Sequence, residues 1–118
     1  MTQIRVRRVY EGLLTGWHPI LVDRLWPRGI SKSDLAGVSW HKEVAPSTEL
    51  RSWFGHEPEK FGEFSRRYRD ELAGPARPAL DELLAEVRGH KQVVLLYSAK
   101  DTEHNQAVVL SEVLRELV

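Results

Sequence analysis

Alternating apolar and polar residues open the chain, and a continuous apolar run appears much later in it. Residues 4–10 alternate aliphatic side chains with arginine, which predicts a strand with one face toward water. A second strand is predicted over 18–23, and we expect these two strands to pair as a hairpin. Another is predicted over 38–44. The run 92–97 is apolar and rich in β-branched residues, which is typical of a strand buried on both faces.

Helical spacing dominates the part of the chain after Ser47. This serine is predicted to cap a short helix over 48–54, and Pro58 is predicted to occupy the first position of a second helix. A third helix is expected before Gly89, where a glycine can end it. The last helix is predicted over 102–117, with Asp101 as its N-cap and with Ala107, Leu110, Leu114 and Leu117 facing inward.

These elements predict one α/β domain over 1–118, with a sheet of about four strands, mixed or largely parallel, flanked by helices. The pattern does not specify the strand order or the oligomeric state. Three polar segments follow predicted strands, at 23–29, 40–47 and 97–105. In α/β sheets ligands bind beyond the carboxyl ends of the strands, so we expect these segments to meet at one edge.

Composition excludes several kinds of chemistry. The 118 residues contain no cysteine, which excludes disulfides, thiolate zinc sites and cysteine nucleophiles. No signal peptide and no apolar run of the ~20 residues needed to cross a bilayer are seen, so a cytoplasmic protein without a membrane partner is expected. The formal net charge is zero. Residues 1–32 are nevertheless basic, which indicates either an anion-attracting surface or a solvated strand face with local ion pairs.

The segment 23–29 supplies the first candidate ligand-binding groups. Arg24 and Arg28 are suited to gripping a phosphate or carboxylate with forked hydrogen bonds, or alternatively to pinning the loop through ion pairs with nearby acids. Trp26 is expected either to stack on an aromatic ligand or to be covered by a guanidinium. Arg51 is expected to form a salt bridge. The predicted ligand-binding residues are Asp23, Arg24, Trp26, Arg28, Lys42, Glu43 and Asn105.

Two further tryptophans and a histidine carry separate expectations. Trp40 and Trp53 are expected to be core residues whose indole N–H groups find partners. His104 has Lys100 and Asp101 nearby, which is suitable company for a general acid or base. In the competing interpretation Asp101 caps the last helix, pairs with His104, and nothing reacts. The predicted catalytic residues are therefore Lys100, Asp101 and His104.

Other kinds of site have weaker support. A metal or haem site would draw on His41, His56 and His104 with Asp23 or Asp101, yet no two histidines have a recognised ligand spacing. Glycine-rich phosphate loops are missing, and neither Ser47 nor Ser98 lies in a nucleophile motif. The residues therefore identify no metal site and no particular cofactor.

Several motifs together resemble a known family. They are VYEG at 9–12, VDRLWPRG at 22–29, KE with APS at 42–47, ELR with WFGH at 49–56, and AKD with HN at 99–105. In this order, and over nearly the whole chain, they resemble the YeaO-like bacterial family of domains of unknown function, domain of unknown function 488. The resemblance implies a small cytoplasmic α/β protein and assigns no catalytic residue.

Two functional hypotheses follow. In the first, the protein is an enzyme or a receptor for a small anionic ligand, for example a nucleotide-like one. The ligand is held between Arg24, Trp26, Arg28 and the end of the helix that carries His104. In the alternative, it is a nucleic-acid or protein-interaction module in which the N-terminal arginines track phosphates and Trp26 stacks on a base. These N-terminal arginines are Arg5, Arg7 and Arg8, and Arg24 and Arg28 are proposed to contact phosphates together with them.

Overall fold

A computed structural model describes all of residues 1–118 and contains one four-stranded sheet. Its strands are β1 (Gln3–Arg8), β2 (His18–Leu21), β3 (Ser39–Trp40) and β4 (Gln92–Tyr97), in the spatial order β1-β4-β2-β3. Every pairing is parallel, which confirms the predicted α/β sheet. The predicted hairpin is wrong, because β4 lies between β1 and β2 and pairs with both of them.

The carboxyl ends of the three longer strands lie at the same edge of the sheet. Arg8 is in register with Tyr97, and Leu21 is in register with Leu96. The predicted strand over 38–44 shrinks to two residues, because Lys42–Val44 turns into a short 3-10 helix instead. Polar segments that follow the strands consequently start from nearly the same level of the sheet.

Four α-helices follow the predicted order: α1 (Thr48–Phe54), α2 (Phe61–Ala73), α3 (Arg77–Arg88) and α4 (Gln106–Leu117). Ser47 caps α1 as predicted, with its hydroxyl oxygen 3.1 Å from the Leu50 amide nitrogen. Pro58 begins a short 3-10 turn that leads into α2. None of the helices has the length and apolar character required to cross a bilayer.

The start of α4 differs from the prediction. Asn105, not Asp101, is the N-cap, and its Oδ1 accepts from the Val108 amide at 3.1 Å. Asp101 instead caps the preceding turn, where its Oδ1 accepts from the backbone amides of Glu103 and His104. Both residues are good caps, and the extended backbone of Asn105 gives it the position next to the helix.

The two faces of the sheet are covered differently. Val93, Leu95 and Tyr97 of β4 join the large core formed with the four helices. The alternate residues Val94 and Leu96 join a smaller cluster on the other face, where the loops cover the sheet. Part of that cover is the segment 24–38, which contributes the buried Leu35 and the half-buried Trp26, Ile30 and Val38. This long loop is therefore packed as a second layer.

Candidate functional site

A cleft of about 1040 Å³ lies at the carboxyl edge of the sheet. It is formed where the segments following β1, β2 and β4 meet α1 and the beginning of α4, and its volume suits a small-molecule ligand. Seven of the ten predicted site residues line it, namely Asp23, Arg24, Trp26, Arg28, Lys100, Asp101 and Asn105. Lys42, Glu43 and His104 do not line it.

Asp23 is the most unusual group in the cleft. The residue is only 6% exposed, and its Oδ1 accepts a hydrogen bond from Gln106 Nε2 at 2.6 Å. Its Oδ2 is buried without a hydrogen bond of standard geometry. Burial raises the pKa of Asp23, although the polar groups of Ser98 and Gln106 and the charge of Arg51 act in the opposite direction. One carboxylate oxygen of Asp23 is therefore buried beside the cleft without a standard hydrogen bond.

Basic side chains outnumber acidic ones around the cleft, with five basic residues and two carboxylates among its lining residues. The side chains of Arg28, Arg51 and Lys100 make no ion pair and no hydrogen bond within the protein. Arg8 donates from Nε to the Ala99 carbonyl oxygen at 3.0 Å, and its guanidinium lies 4.7 Å from the centre of the Tyr10 ring. Three positive charges of the cleft are thus left without a partner.

Arg24 has the loop-pinning contacts of one of its two predicted roles. It donates to the carbonyl oxygens of Ala45 at 3.0 Å and Pro46 at 3.3 Å. A second hydrogen bond holds the segment 44–46, because the buried Tyr68 hydroxyl of α2 donates to the Val44 carbonyl oxygen at 2.6 Å. Burial is also the main reason that the pKa of Tyr68 is raised. Arg24 therefore lines the cleft as a fixed group rather than as a free one.

Lys42 and Glu43 lie outside the cleft, beside a second groove along α3. The Lys42 ammonium is 5.4 Å from the centre of the Trp40 ring. One carboxylate oxygen of Glu43 is 3.9 Å from Arg24 Nη1, and this side chain is 70% exposed, so the pair is a weak one. The expected convergence of all three polar segments is therefore only partial.

The tryptophans near the cleft support one another. Trp26 donates to the Ile30 carbonyl oxygen at 2.7 Å and lies edge-on to Trp40, with ring centres 5.3 Å apart. Trp40 donates to the carbonyl oxygen of Asp23 at 2.7 Å but is 39% exposed, so its prediction as a core residue is wrong. Trp53 is half-buried and packs against the large core, which is closer to its prediction.

Asp101 and His104 form the pair that the non-catalytic interpretation predicted. Asp101 Oδ2 is 2.9 Å from His104 Nδ1, and the amide of Glu103 is the main cause of a lowered Asp101 pKa. An ionised carboxylate only accepts hydrogen bonds, so His104 Nδ1 is the donor in this contact. The imidazole lies edge-on to Phe61 with ring centres 5.2 Å apart, and it does not line the cleft.

Sequence reasoning missed several lining residues. Arg8 and Tyr10 follow β1, and only the parallel order of the strands brings them beside the segments after β2 and β4. Arg51 makes no ion pair, so its predicted salt bridge is wrong. His56 adopts a φ of 58°, which is uncommon outside glycine and turns the chain at the cleft. Gln106 carries no sequence signal that distinguishes it from other helix residues.

The N-terminal arginines do not form a continuous basic track. The guanidinium of Arg5 lies 4.6 Å from the centre of the Trp17 ring. Arg7 donates from Nε to the Gly12 carbonyl oxygen at 2.8 Å and also binds the backbone of Glu11. Of the three arginines in this region only Arg8 lines the cleft.

The histidines proposed for a metal or haem site are dispersed. His56 lines the cleft, whereas His104 is paired with Asp101. His41 binds Glu86 instead. No group of three or more histidine, aspartate or glutamate side chains is arranged to hold a metal ion.

Glu86 on α3 is the centre of a polar cluster that the sequence did not predict. Its two carboxylate oxygens contact His18 Nε2 at 2.7 Å, His41 Nε2 at 2.8 Å and the Ser39 hydroxyl at 3.0 Å. His18 also stacks on His90, with ring centres 3.6 Å apart. Burial alone would raise the pKa of Glu86, but the hydrogen bonds from these three partners together lower it. We call these five residues the Glu86 cluster.

The parallel sheet and its polar edge define a small α/β domain, and the comparisons place it in a family. The chain belongs to the inactive DUF488-N3 subclade, whose family model matches residues 3–118. It is 44% identical over 115 residues to Uncharacterized protein YeaO of Escherichia coli (strain K12), covering 97% of this chain and 98% of that protein. This confirms the predicted resemblance to the YeaO-like family.

Mycobacteria also contain similar proteins. The chain is 42% identical over 114 residues to Uncharacterized protein Rv3073c of Mycobacterium tuberculosis and to Uncharacterized protein Mb3100c of Mycobacterium bovis. Each match covers 96% of this chain and 94% of the relative. No solved structure matches the chain.

Proposed function

We propose that the cleft binds a small anionic ligand, bearing a phosphate or a carboxylate, in the cytoplasm. The observation that carries this proposal is the set of basic side chains, Arg28, Arg51 and Lys100, that line the cleft without a partner. Guanidinium groups bind phosphates and carboxylates through charge-assisted, forked hydrogen bonds. An anion in the cleft would therefore satisfy groups that the protein itself leaves unsatisfied.

The beginning of α4 adds to this attraction. Asn105 and Gln106 line the cleft, and α4 runs for 12 residues from this point. The first turn of a helix has free backbone N–H groups and the positive end of the helix dipole, both of which favour an anion. This contribution points in the same direction as the free basic side chains.

Binding without chemical conversion is the form of the proposal that the site favours. The Asp101–His104 pair is complete in itself, and the imidazole does not line the cleft. The chain also belongs to a subclade described as inactive, which supports a binding role over a catalytic one. Lys100 is therefore proposed as a ligand-binding residue.

The test is a titration of the protein with inorganic phosphate, pyrophosphate, ribose phosphate and citrate, followed by calorimetry and by thermal shift. We expect at least one of these anions to bind, and the variant R28A/K100A to bind it about 100-fold more weakly, since a hydrogen bond to a charged group contributes ~1.5–3 kcal/mol. The matched control is R77A/K91A, which removes two exposed basic residues outside the cleft.

Two outcomes would contradict the proposal. One is the absence of binding by any of the four anions at low salt, where electrostatic attraction is strongest. The other is equal affinity in R28A/K100A and in R77A/K91A, which would locate the anion outside the cleft.

A further inference from the structure

The free basic groups of the cleft do not explain Asp23. An anion cannot satisfy a carboxylate oxygen, because that oxygen needs a hydrogen-bond donor. Oδ1 accepts from Gln106, whereas the buried Oδ2 makes no hydrogen bond of standard geometry. The hydroxyl and the backbone amide of Ser98 lie close enough to the carboxylate to lower its pKa. Leaving a buried acceptor unpaired is costly, so a ligand that brings a donor to this point is favoured. The cleft is therefore suited to a ligand that carries both an anionic group and a hydrogen-bond donor.

Aromatic side chains line the same cleft as the basic side chains and Asp23. The Tyr10 hydroxyl donates to the Arg28 carbonyl oxygen at 2.7 Å, which holds this ring at the mouth of the cleft. Trp26 is fixed through its indole N–H and through Trp40. The buried Phe54 also lines the cleft. Rings held in this way suit a planar group in the ligand, since stacking then costs little conformational entropy.

Resting on the proposed anion-binding function, we infer that the ligand is a free nucleotide whose phosphate binds the basic side chains and whose base donates an amino hydrogen to Asp23 Oδ2. A nucleotide combines an anionic group, a planar ring and an exocyclic amine in one molecule. Adenine, cytosine and guanine each carry such an amine.

A free nucleotide fits better than a nucleic-acid strand. Strand-binding proteins use a basic groove that follows the backbone over several nucleotides. Here Arg5 is stacked on Trp17 and Arg7 is bound to backbone carbonyls of the turn at residues 11–12, so no basic track leads away from the cleft. The three unpaired basic side chains of the proposed anion site all line one cleft.

The test uses pairs of nucleotides that differ by one amino group. These are adenosine monophosphate against purine riboside monophosphate, guanosine monophosphate against inosine monophosphate, and cytidine monophosphate against its pyrimidinone analogue. In at least one pair we expect the amino nucleotide to bind the wild-type protein at least 10-fold more tightly, since each 1.4 kcal/mol is a factor of ten in affinity. Ribose phosphate measures the contribution of the anion alone.

The variant Asp23→Asn tests the role of the carboxylate at constant shape. Gln106 donates to the first oxygen, so the new amide presents its NH₂ group at the position of Oδ2 and becomes a donor there. We expect the preference for the amino nucleotide to disappear or reverse. Ribose phosphate, titrated in parallel, reports how the lost negative charge affects binding of the anion alone. Asp81→Asn, an exposed carboxylate on α3, is the matched control and should keep the preference.

The outcomes separate the two proposals. If ribose phosphate binds but no pair shows a preference, or if Asp23→Asn keeps the preference, the nucleotide inference is wrong and anion binding stands. If neither ribose phosphate nor any nucleotide binds, and the other anions also fail, both proposals are wrong. If a phosphorylated oligonucleotide binds more tightly than every mononucleotide, the free-nucleotide inference is overturned in favour of a nucleic acid.

Discussion

Two carboxylates in this protein are largely removed from water, and the protein treats them in opposite ways. Glu86 receives hydrogen bonds from two histidines and a serine, and the pKa of Glu86 is lowered. Asp23 receives one hydrogen bond of standard geometry, from Gln106, and its buried Oδ2 makes none. Burial outweighs the effect of Gln106 and of the nearby Ser98, and the pKa of Asp23 is raised. The first arrangement is self-contained and structural. The second leaves one carboxylate oxygen without a standard hydrogen bond, and the proposed ligand would use that oxygen.

The largest change in stability is expected for Glu86, whose carboxylate has all its hydrogen-bond partners within the protein. Glu86→Ala leaves His18, His41 and Ser39 without their shared acceptor and detaches α3 from β2 and from the β3 end of the sheet. Because the Glu86 side chain is 25% exposed, water will replace part of the loss, and we expect about 2 kcal/mol lower stability in urea denaturation. This corresponds to a melting temperature lower by roughly 8 °C.

The control for this change is Glu82→Ala, which removes an exposed carboxylate from the same helix. Its effect on stability should stay within about 0.5 kcal/mol. Equal stability of Glu86→Ala and Glu82→Ala would show that the Glu86 cluster contributes nothing, and the contrast between the two carboxylates would fail.

Asp23→Asn is expected to stabilise the protein, whereas Glu86→Ala destabilises it. Removing a charge that is buried with an unpartnered oxygen should raise the free energy of unfolding by about 1 kcal/mol at neutral pH. Binding-site residues commonly lower stability in this way. The measurement is urea denaturation of wild type, Asp23→Asn and the exposed control Asp81→Asn.

The pH dependence of this gain follows from the direction of the shift. A raised pKa means that the folded state holds the Asp23 proton more tightly than the unfolded chain, whose value is near the ordinary 3.8. Wild-type stability therefore falls as pH rises from 3.8 through the raised pKa. The gain from Asp23→Asn should be small below pH 3.8 and complete above the raised pKa, and a gain that is constant with pH would assign it to packing instead.

Glu86→Gln gives the mirror image of that experiment. A lowered pKa contributes stability that is present above the ordinary value of 4.5 and is lost as pH falls through the lowered value. We expect the variant to be less stable than wild type at neutral pH, and the difference to shrink in acid. Because the amide can still accept from one partner, the effect should be smaller than that of Glu86→Ala. A difference that grows in acid would contradict the assigned direction.

Periodicity predicted most of the fold because local patterns determine the elements. The residues 92–97 alone predict strand β4, and the residues 61–72 alone predict the buried apolar face of α2. The pairing of β1 with β4 was not predictable in the same way, because it joins segments nearly ninety residues apart. The start of α4 was ambiguous since Asp101 and Asn105 are both good caps, and only the folded backbone selects between them.

The part of the candidate site that lies in the loops after the strands was predictable from the sequence. Asp23 directly follows an apolar run, Arg28 and Lys100 lie in the loops after β2 and β4, and the rule for parallel sheets predicted that they share one edge. Gln106 donates to Asp23 Oδ1 from α4, and no spacing in the sequence predicts that contact. The Glu86 cluster was hidden for the same reason, because its members come from separate elements.

The smallest effect on stability is expected at Lys100, and it sharpens the contrast between the two kinds of polar group. Its ammonium makes no ion pair or hydrogen bond, so Lys100→Ala should change the free energy of unfolding by less than about 0.5 kcal/mol while weakening anion binding. Arg24→Ala is the comparison, because Arg24 donates to the carbonyl oxygens of Ala45 and Pro46 and should cost ~1 kcal/mol. A stability loss at Lys100 as large as that at Arg24 would mean that the cleft is held together by its charges, and its basic groups would no longer be free for a ligand.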